Sequence, residues 1–302
     1  MGSLSRGLRA GLAPARIEEL PPAPAPAPAP PPPQPPPDAA ALLQPLLDAP
    51  PPHVEPEPPE PAEPAAVPSD DALAALLSKA GMSEAELRAA ESLDLSGKRI
   101  NDDDCGVLAH LLTTGECSCA RLTLNNNNIG DVGIIALCEP LGAGALPALW
   151  DLAAGDNHIG DRGALALSMA LRRGALPNLA LLLLYSNVLT SEGAAAIAAA
   201  FACSAGALES LSWLYLGGNV TLGDAGVRSL CSAFTTYGAA PALNELSLYS
   251  AGITDEGALE LARALRNGAL PELDTLDLEG NEISPQVQRA VYDALEVDVQ
   301  DR

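Results

Sequence analysis

The sequence is poor in aromatic and in basic residues. Aromatic residues make up 3% of its 302 positions, and 16 Lys and Arg stand against 39 Asp and Glu, for a formal net charge of −23. A nucleic-acid-binding protein needs a basic face to meet the phosphate backbone, so this charge argues against nucleic-acid partners. We expect the acidic surface to favour solubility instead.

Long apolar runs are also missing. The run LALLLL at 179–184 is far shorter than the roughly 18 residues of a membrane span. The N-terminus lacks the apolar stretch of a secretory signal, and Arg6 stands where a myristoylation motif requires Ser or Thr. We therefore expect a cytoplasmic protein that does not bind membranes. Because Arg6, Arg9 and Arg16 precede any acidic residue, an organelle transit peptide is the alternative.

The cysteines do not form a recognisable disulfide framework in a chain of this length, and reduced thiols are expected. They are Cys105, Cys117, Cys119, Cys138, Cys203 and Cys231.

Two sets of residues could suggest a metal site. The first is His158, which has no second ligand type recurring beside it. The second is the group Cys105, His110, Cys117 and Cys119, in which Cys-x-Cys is weak evidence. We predict no metal, no cofactor and no catalytic residue, because no nucleophile lies beside a plausible base and no glycine-rich loop has phosphate-binding spacing.

Proline is concentrated near the N-terminus, where most of the 29 prolines lie between Pro14 and Pro68. The stretch 21–37, PPAPAPAPAPPPPQPPP, favours solvated polyproline II and has no apolar bulk to bury. We predict that residues 1–68 form a disordered proline-rich arm. The arm can be a simple spacer, or a ligand for an SH3, WW or profilin-like domain.

Removal of the arm is expected to leave the stability of the rest unchanged, because the arm has almost no apolar surface to bury. A chain shortened to residues 69–302 should keep the melting temperature of the full chain within error in a calorimetric scan. A drop of several degrees would contradict the predicted disorder.

From residue 91 the sequence repeats a pattern of about 30 residues. Copies aligned on Asn157 follow one another at steps of 29, 30, 30, 32, 32 and 30 residues. Leucine-like residues five and three positions before this anchor have the period of a strand, and later apolar pairs such as Leu137/Leu141 have the period of a helix. Glycines suited to a left-handed cap follow each helix: Gly144, Gly174, Gly206, Gly238 and Gly268.

This pattern resembles the leucine-rich repeats of the ribonuclease-inhibitor type, roughly LxxLxLxxNxIxDxGxxxLxxxL. The segments LTLNNNNIGDVGIIALCEPL (122–141) and LDLEGNEI (276–283) match it closely. The resemblance implies an α/β fold, a curved solenoid forming a right-handed β-α horseshoe segment of about seven repeats over residues 91–302. Strands would line its concave face, and two short helices in 69–90, the second with a Ser83/Glu86 capping box, would cover its end.

The resemblance also implies a structural ladder of buried amides that bind backbone groups in the turns. Its members are Asn127, Asn157, Asn187, Asn219 and Asn281. Lys98 and Ala251 depart from the pattern; the first belongs to a terminal repeat, and the second predicts a local gap. An extra residue between Asn219 and Leu222 predicts a bulged loop.

Aspartates recur four or five positions after the anchor, at Asp102, Asp131, Asp161, Asp224 and Asp255. A carboxylate at that place can accept hydrogen bonds from free N–H groups at a helix start. We predict that they cap the helices that follow them, in preference to acid-base chemistry.

Function is predicted from the side chains that point out of the concave sheet. The candidate partner-binding residues are Leu181, Leu183, Tyr185, Trp213, Tyr215 and Tyr249. With neighbouring strands about 4.8 Å apart, the four aromatic residues should form one patch roughly 10 Å across. A solenoid with such a patch is typical of a non-catalytic scaffold or adaptor that binds a protein partner. The alternative for the patch is that its rings only shield the sheet.

A second function comes from a related family. Ran GTPase-activating proteins have similar repeats and complete the active site of a GTPase from their repeat loops. They carry a long acidic segment after the repeats, whereas this sequence ends at EVDVQDR (296–302). Related repeats also occur in sensor proteins of innate immunity, but the nucleotide-binding domain of those proteins is not found in this sequence. A GTP-hydrolysis assay with small GTPases separates activation of a GTPase from simple binding.

Overall fold

The computed structural model describes residues 67–114, 117–201, 208–237 and 240–296. Nearly all of the predicted arm at 1–68 lies outside these ranges, and with it the expected binding of an SH3, WW or profilin-like domain. Cys203, Gly206 and Gly238 lie outside them as well.

Within the described residues, two helices are followed by seven strand-helix pairs. The strands, each of three residues, are β1 (Ser92–Asp94), β2 (Arg121–Thr123), β3 (Asp151–Ala153), β4 (Leu181–Leu183), β5 (Trp213–Tyr215), β6 (Glu245–Ser247) and β7 (Thr275–Asp277). The helices are α1 (Asp70–Ala80), α2 (Glu84–Ala89), α3 (Asp102–Thr113), α4 (Asp131–Gly142), α5 (Asp161–Arg172), α6 (Ser191–Phe201), α7 (Gly223–Tyr237), α8 (Asp255–Arg266) and α9 (Pro285–Glu296).

The strands form one parallel sheet in the order β1 to β7. Each central leucine pairs with the central leucine of the next strand, as Leu182 does with Leu152 and Leu214. The register is constant because every copy of the repeat has its leucine at the same distance from the anchor. This parallel, sequential stacking confirms the predicted α/β leucine-rich repeat solenoid.

The core lies between the sheet and the helices α3 to α9. The apolar pairs predicted to face it are buried, as Leu137/Leu141 on α4 and Leu261/Leu265 on α8 illustrate. The helix-ending glycines at 144, 174 and 268 have φ values of 80°, 70° and 82°, which confirms the predicted left-handed conformation.

The N-terminal end of the core is covered by α1 and α2. Leu76 of α1 and Leu87 of α2 belong to the same buried cluster as the leucines of the first repeats. Lys79 of α1 forms an ion pair with Asp104 of α3. The capping box predicted at Ser83 and Glu86 is present, so the sequence signal for the start of α2 is confirmed.

The ladder asparagines connect each repeat to the one before it. Asn157 Oδ1 accepts a hydrogen bond from the N–H of Ile129 at 3.1 Å, and Asn157 Nδ2 donates to the carbonyl of Leu124 at 2.9 Å. Asn127, Asn187, Asn219 and Asn281 bind backbone groups of their preceding repeats in the same manner. Four of the five ladder asparagines are buried, and Asn281 is half-buried. Their amides supply hydrogen bonds to backbone groups that are shielded from water.

The local gap predicted at Ala251 is closed by the extra residue of the repeat before it. In the regular repeats the N–H after the turn donates to the next ladder amide, but the N–H of Leu222 donates to the carbonyl of Asn219 at 3.0 Å. Ala251 is fully buried, and Val220 is pushed outward with 68% of its surface exposed. The extra residue therefore compensates for the missing asparagine, because it lets the N–H of Leu222 bind the carbonyl of Asn219 instead of a ladder amide.

The aspartates after the turns cap a different helix from the one predicted. Asp131 Oδ1 accepts hydrogen bonds from the N–H groups of Gly160 at 2.7 Å and Gly163 at 2.8 Å, at the start of the helix in the next repeat. Asp102, Asp161, Asp224 and Asp255 likewise bind the following repeat. The prediction for their own helices was wrong because these residues lie inside the first helical turn. The side chain that caps a helix belongs to the residue before that turn, the N-cap.

Candidate functional site

The open face of the sheet is the side that turns away from the helices. It carries the first and third residue of each strand and the residue two positions before each anchor. Strand pairing places Trp213 between Leu181 and Glu245, and Tyr215 between Leu183 and Ser247. The face therefore has defined rows that run across neighbouring repeats.

An aromatic surface covers β4 to β6. It consists of the six residues proposed from the sequence, Leu181, Leu183, Tyr185, Trp213, Tyr215 and Tyr249, and all six are half-buried. The structure brings them onto adjacent strands, so they form one continuous area. Their partial exposure leaves apolar surface that a partner could bury.

Two of the tyrosines lie along the sheet instead of standing away from it. The ring of Tyr185 occupies the space above Gly155, where an added Cβ would overlap it, and the ring of Tyr249 does the same above Gly217. The hydroxyl of Tyr249 is 3.0 Å from the Oγ of Ser186. Covering the sheet is thus part of what these rings do, and their outward faces form the surface.

Carboxylates surround the hydroxyl of Tyr215. This hydroxyl donates a hydrogen bond to Glu245 Oε1 at 2.6 Å. Burial, the hydrogen bond to Glu245 and the charges of Glu245 and Asp277 together raise the pKa of Tyr215. The hydroxyl is therefore a fixed, neutral donor at the acidic edge of the aromatic surface.

At the opposite edge of the surface, the charge of Asp151 is neutralised by an ion pair within the protein. Arg121 Nε lies 2.9 Å from Asp151 Oδ2, and its guanidinium is 4.9 Å from the centre of the Trp150 ring. Burial raises the pKa of Asp151, and the charge of Arg121 opposes this shift. The second carboxylate oxygen of Asp151 is buried without a hydrogen-bond partner among the described residues. The carboxylate of Asp151 is therefore already paired and not accessible to a partner.

Two exposed valines lie in the turns that follow β4 and β5. Val188 and Val220 directly follow the ladder residues Asn187 and Asn219 and are 55% and 68% exposed. Neither valine is among the binding residues predicted from the sequence. The available signal was an apolar residue at a place where the other repeats have polar residues such as Asn128 and His158.

The candidate metal ligands are not brought together. His158 is exposed in its loop, and Cys105 and His110 lie on α3. Among residues 67–114, 117–201, 208–237 and 240–296, no group of three or more potential metal ligands is found.

The described cysteines are free thiols. Burial raises the pKa of Cys138 to about 12 and, with the nearby Cys117, that of Cys119 to about 11. Such thiols are protonated at neutral pH, so they are poor nucleophiles.

In the part of the chain that the structure describes, every helix is too short or too polar to cross a membrane.

A family model agrees with the repeat architecture. The family model for the leucine-rich repeat matches residues 121–138 and 155–168. No curated protein sequence matches the chain. Among solved structures, the chain is similar to the crystal structure of an internalin from Listeria monocytogenes, with 18% sequence identity and a TM-score of 0.35. The alignment covers 66% of this chain and 51% of the internalin chain, so only about half of that protein is spanned.

Proposed function

We propose that this protein is a non-catalytic scaffold or adaptor that binds a protein partner on the aromatic surface of β4 to β6. The observation that carries the proposal is the position of Trp213 and Tyr215 at its centre, between the leucines of β4 and the polar side chains of β6. Trp and Tyr are enriched at the centres of interfaces, where they bury a large area with few rotatable bonds.

The support of these rings by the sheet favours binding. Tyr215 is held by its hydrogen bond to Glu245, and Tyr249 by its contact with Gly217 and its hydroxyl contact with Ser186. Side chains that are already ordered lose little conformational entropy when a partner covers them. Binding at a preorganised aromatic surface therefore costs less conformational entropy than binding at a mobile one.

We also infer that the repeats are of the ribonuclease-inhibitor type. Each three-residue strand in the described repeats is followed by a helix of 11 to 15 residues. This pairing of a short strand with a full helix supports the subtype, because it is the alternation that the consensus of this type implies.

Replacement of the central aromatics is expected to reduce partner binding strongly. Trp213→Ala and Tyr215→Ala should each weaken capture by about 30-fold, as the loss of an aromatic hot-spot residue removes about 2 kcal/mol of binding free energy. The main partner is first identified by capture on the full chain and mass spectrometry, and its Kd is then measured for each variant.

The matched control is Tyr292→Ala, which removes a half-buried tyrosine from α9. This variant should bind the partner like the wild type, and circular dichroism should show all variants folded. Unchanged affinity of the doubly substituted Trp213→Ala, Tyr215→Ala protein would move the site to the helices, the loops or the proline-rich segment.

A further inference from the structure

Charge is distributed unevenly over the open face. Next to the aromatic surface, β6, β7 and the turn that follows β7 carry Glu245, Asp277 and Glu279. None of these three forms an ion pair with any residue that the structure describes. Arg121 is the one basic side chain at the open-face positions of the seven described repeats, and Asp151 already pairs with it.

The carboxylates form a row with Tyr215. Strand pairing aligns Tyr215 with Ser247 and Ser247 with Asp277. Asp277 Oδ2 accepts a hydrogen bond from Ser247 Oγ at 3.2 Å, and its Oδ1 accepts one from the N–H of Glu279 at 3.0 Å. Glu245 reaches the same place by accepting the hydrogen bond of Tyr215. Neutral donors therefore hold two negative charges beside aromatic rings.

We propose that the partner binds through a basic segment, with an apolar or aromatic side chain on Leu181 and Trp213 and an arginine between Tyr215, Glu245 and Asp277. This inference rests on the proposed function and specifies the chemistry of the partner. It also fixes the direction of the segment, because the basic end lies over β6 and β7.

Arginine fits this place better than lysine. A planar guanidinium can stack on the face of a tyrosine ring while its N–H groups bind carboxylates in pairs. It is also more weakly hydrated than an ammonium group, which matters at a site whose residues are half-buried.

The strand spacing sets the distance between the two contacts. Trp213 and Asp277 lie on strands separated by two steps, about 10 Å at the usual spacing of parallel strands. An extended chain advances about 3.3 Å per residue, so the apolar residue and the arginine should be separated by roughly three positions. At the other edge Asp151 already pairs with Arg121 and its second carboxylate oxygen is buried, so Asp151 is not free for a second basic group.

A peptide selection tests this chemistry directly. The probe is a library of random 12-residue peptides displayed on phage and selected on the full-length protein. We expect enriched peptides to carry an aromatic or large aliphatic residue and, about three positions away, an arginine. Enrichment of peptides without basic residues, enrichment of lysine in place of arginine, or no enrichment would overturn the proposal.

Charge removal separates this inference from the proposed function. For a selected peptide, Asp277→Asn and Glu245→Gln should each raise Kd about tenfold and flatten its dependence on salt. Replacing the peptide arginine by alanine should raise Kd at least as much on the wild type, and should cause a much smaller further loss on the protein that carries both Asp277→Asn and Glu245→Gln. The control Asp293→Asn, the same charge change on α9, should leave Kd unchanged.

The two ideas fail in different ways. If Trp213→Ala weakens peptide binding while Asp277→Asn and Glu245→Gln do not, the aromatic surface is a binding site and the basic partner is wrong. If Trp213→Ala leaves binding unchanged, the proposed function is wrong at this surface. A carboxylate effect that remains alone would then describe a separate acidic contact.

Discussion

Replacing Asn219 by alanine is expected to lower the free energy of unfolding by about 3 kcal/mol, because it leaves several buried backbone groups without partners. Asn219 Oδ1 accepts hydrogen bonds from the N–H groups of Asn187 at 3.2 Å and Leu189 at 3.1 Å. Its Nδ2 donates to the carbonyls of Leu184 and Leu216, and the residue is fully buried. These groups are shielded from bulk water in the folded protein.

Urea unfolding followed by circular dichroism measures this loss. Asn187→Ala should destabilise by about 1 to 3 kcal/mol for the same reason. The control Asn128→Ala changes an exposed asparagine in the turn that follows β2, and it should stay within about 0.5 kcal/mol of the wild type. If Asn219→Ala unfolds like this control, the assigned hydrogen bonds of the ladder do not stabilise the protein.

Gly252→Ala is expected to destabilise the protein by about 3 kcal/mol, through an unfavourable backbone conformation and a direct overlap. Gly252 has a φ of 71°, and an added Cβ would overlap the carbonyl oxygen of Val220. The obstacle is backbone, so no side-chain rotation can relieve it. The loop built around the inserted residue would have to move.

Gly81→Ala is the matched control for the backbone term. Gly81 has a similar φ of 75°, but nothing lies within 4 Å of the added Cβ. We expect a loss of about 1 kcal/mol there, the usual penalty for a left-handed alanine. Thermal unfolding of both variants gives the difference, and equal losses would mean that the loop at Val220 adapts without strain.

The positions of the strands and helices were predictable because burial dictates them. A strand buries every second residue and a helix every third or fourth. The spacing of the leucines in the repeat therefore indicates both the elements and their register. Leu182 pairs with Leu214, and Leu137 and Leu141 face the core, as their spacing indicates. Contacts that follow directly from this period could be derived without coordinates.

Contacts between repeats were harder to predict. The spacing of Asp131 places it at a helix start, but spacing alone does not show that the N–H groups of Gly160 and Gly163 in the next repeat are the ones within reach. The same holds for Ala251, whose missing amide is compensated by the turn at Asn219. Both outcomes depend on the distance between the backbones of stacked repeats. The sequence pattern of a single repeat does not give that distance.

The residues of the candidate site could be predicted from the sequence, but the contacts among their side chains could not. The six residues of the aromatic surface follow from counting back from each anchor. The contact of Tyr249 with Ser186, two repeats away, depends on the direction of a long side chain. So does the hydrogen bond from Tyr215 to Glu245, which brings acidic groups to the edge of the surface.

The tyrosines that lie over glycines give the open face a longer period than the fold. At the position two residues before the anchor, successive repeats carry Gly155, Tyr185, Gly217 and Tyr249, and each ring fills the space above the glycine that precedes it. A larger residue at either glycine would displace the ring of the next repeat, so the four positions form two coupled pairs. The backbone repeats every 30 to 32 residues here, whereas the glycine–tyrosine pairs recur every 62 to 64 residues. Deleting one of these four repeats would leave a ring without its glycine or a glycine without its ring, whereas deleting both repeats of one pair would leave the other pair intact.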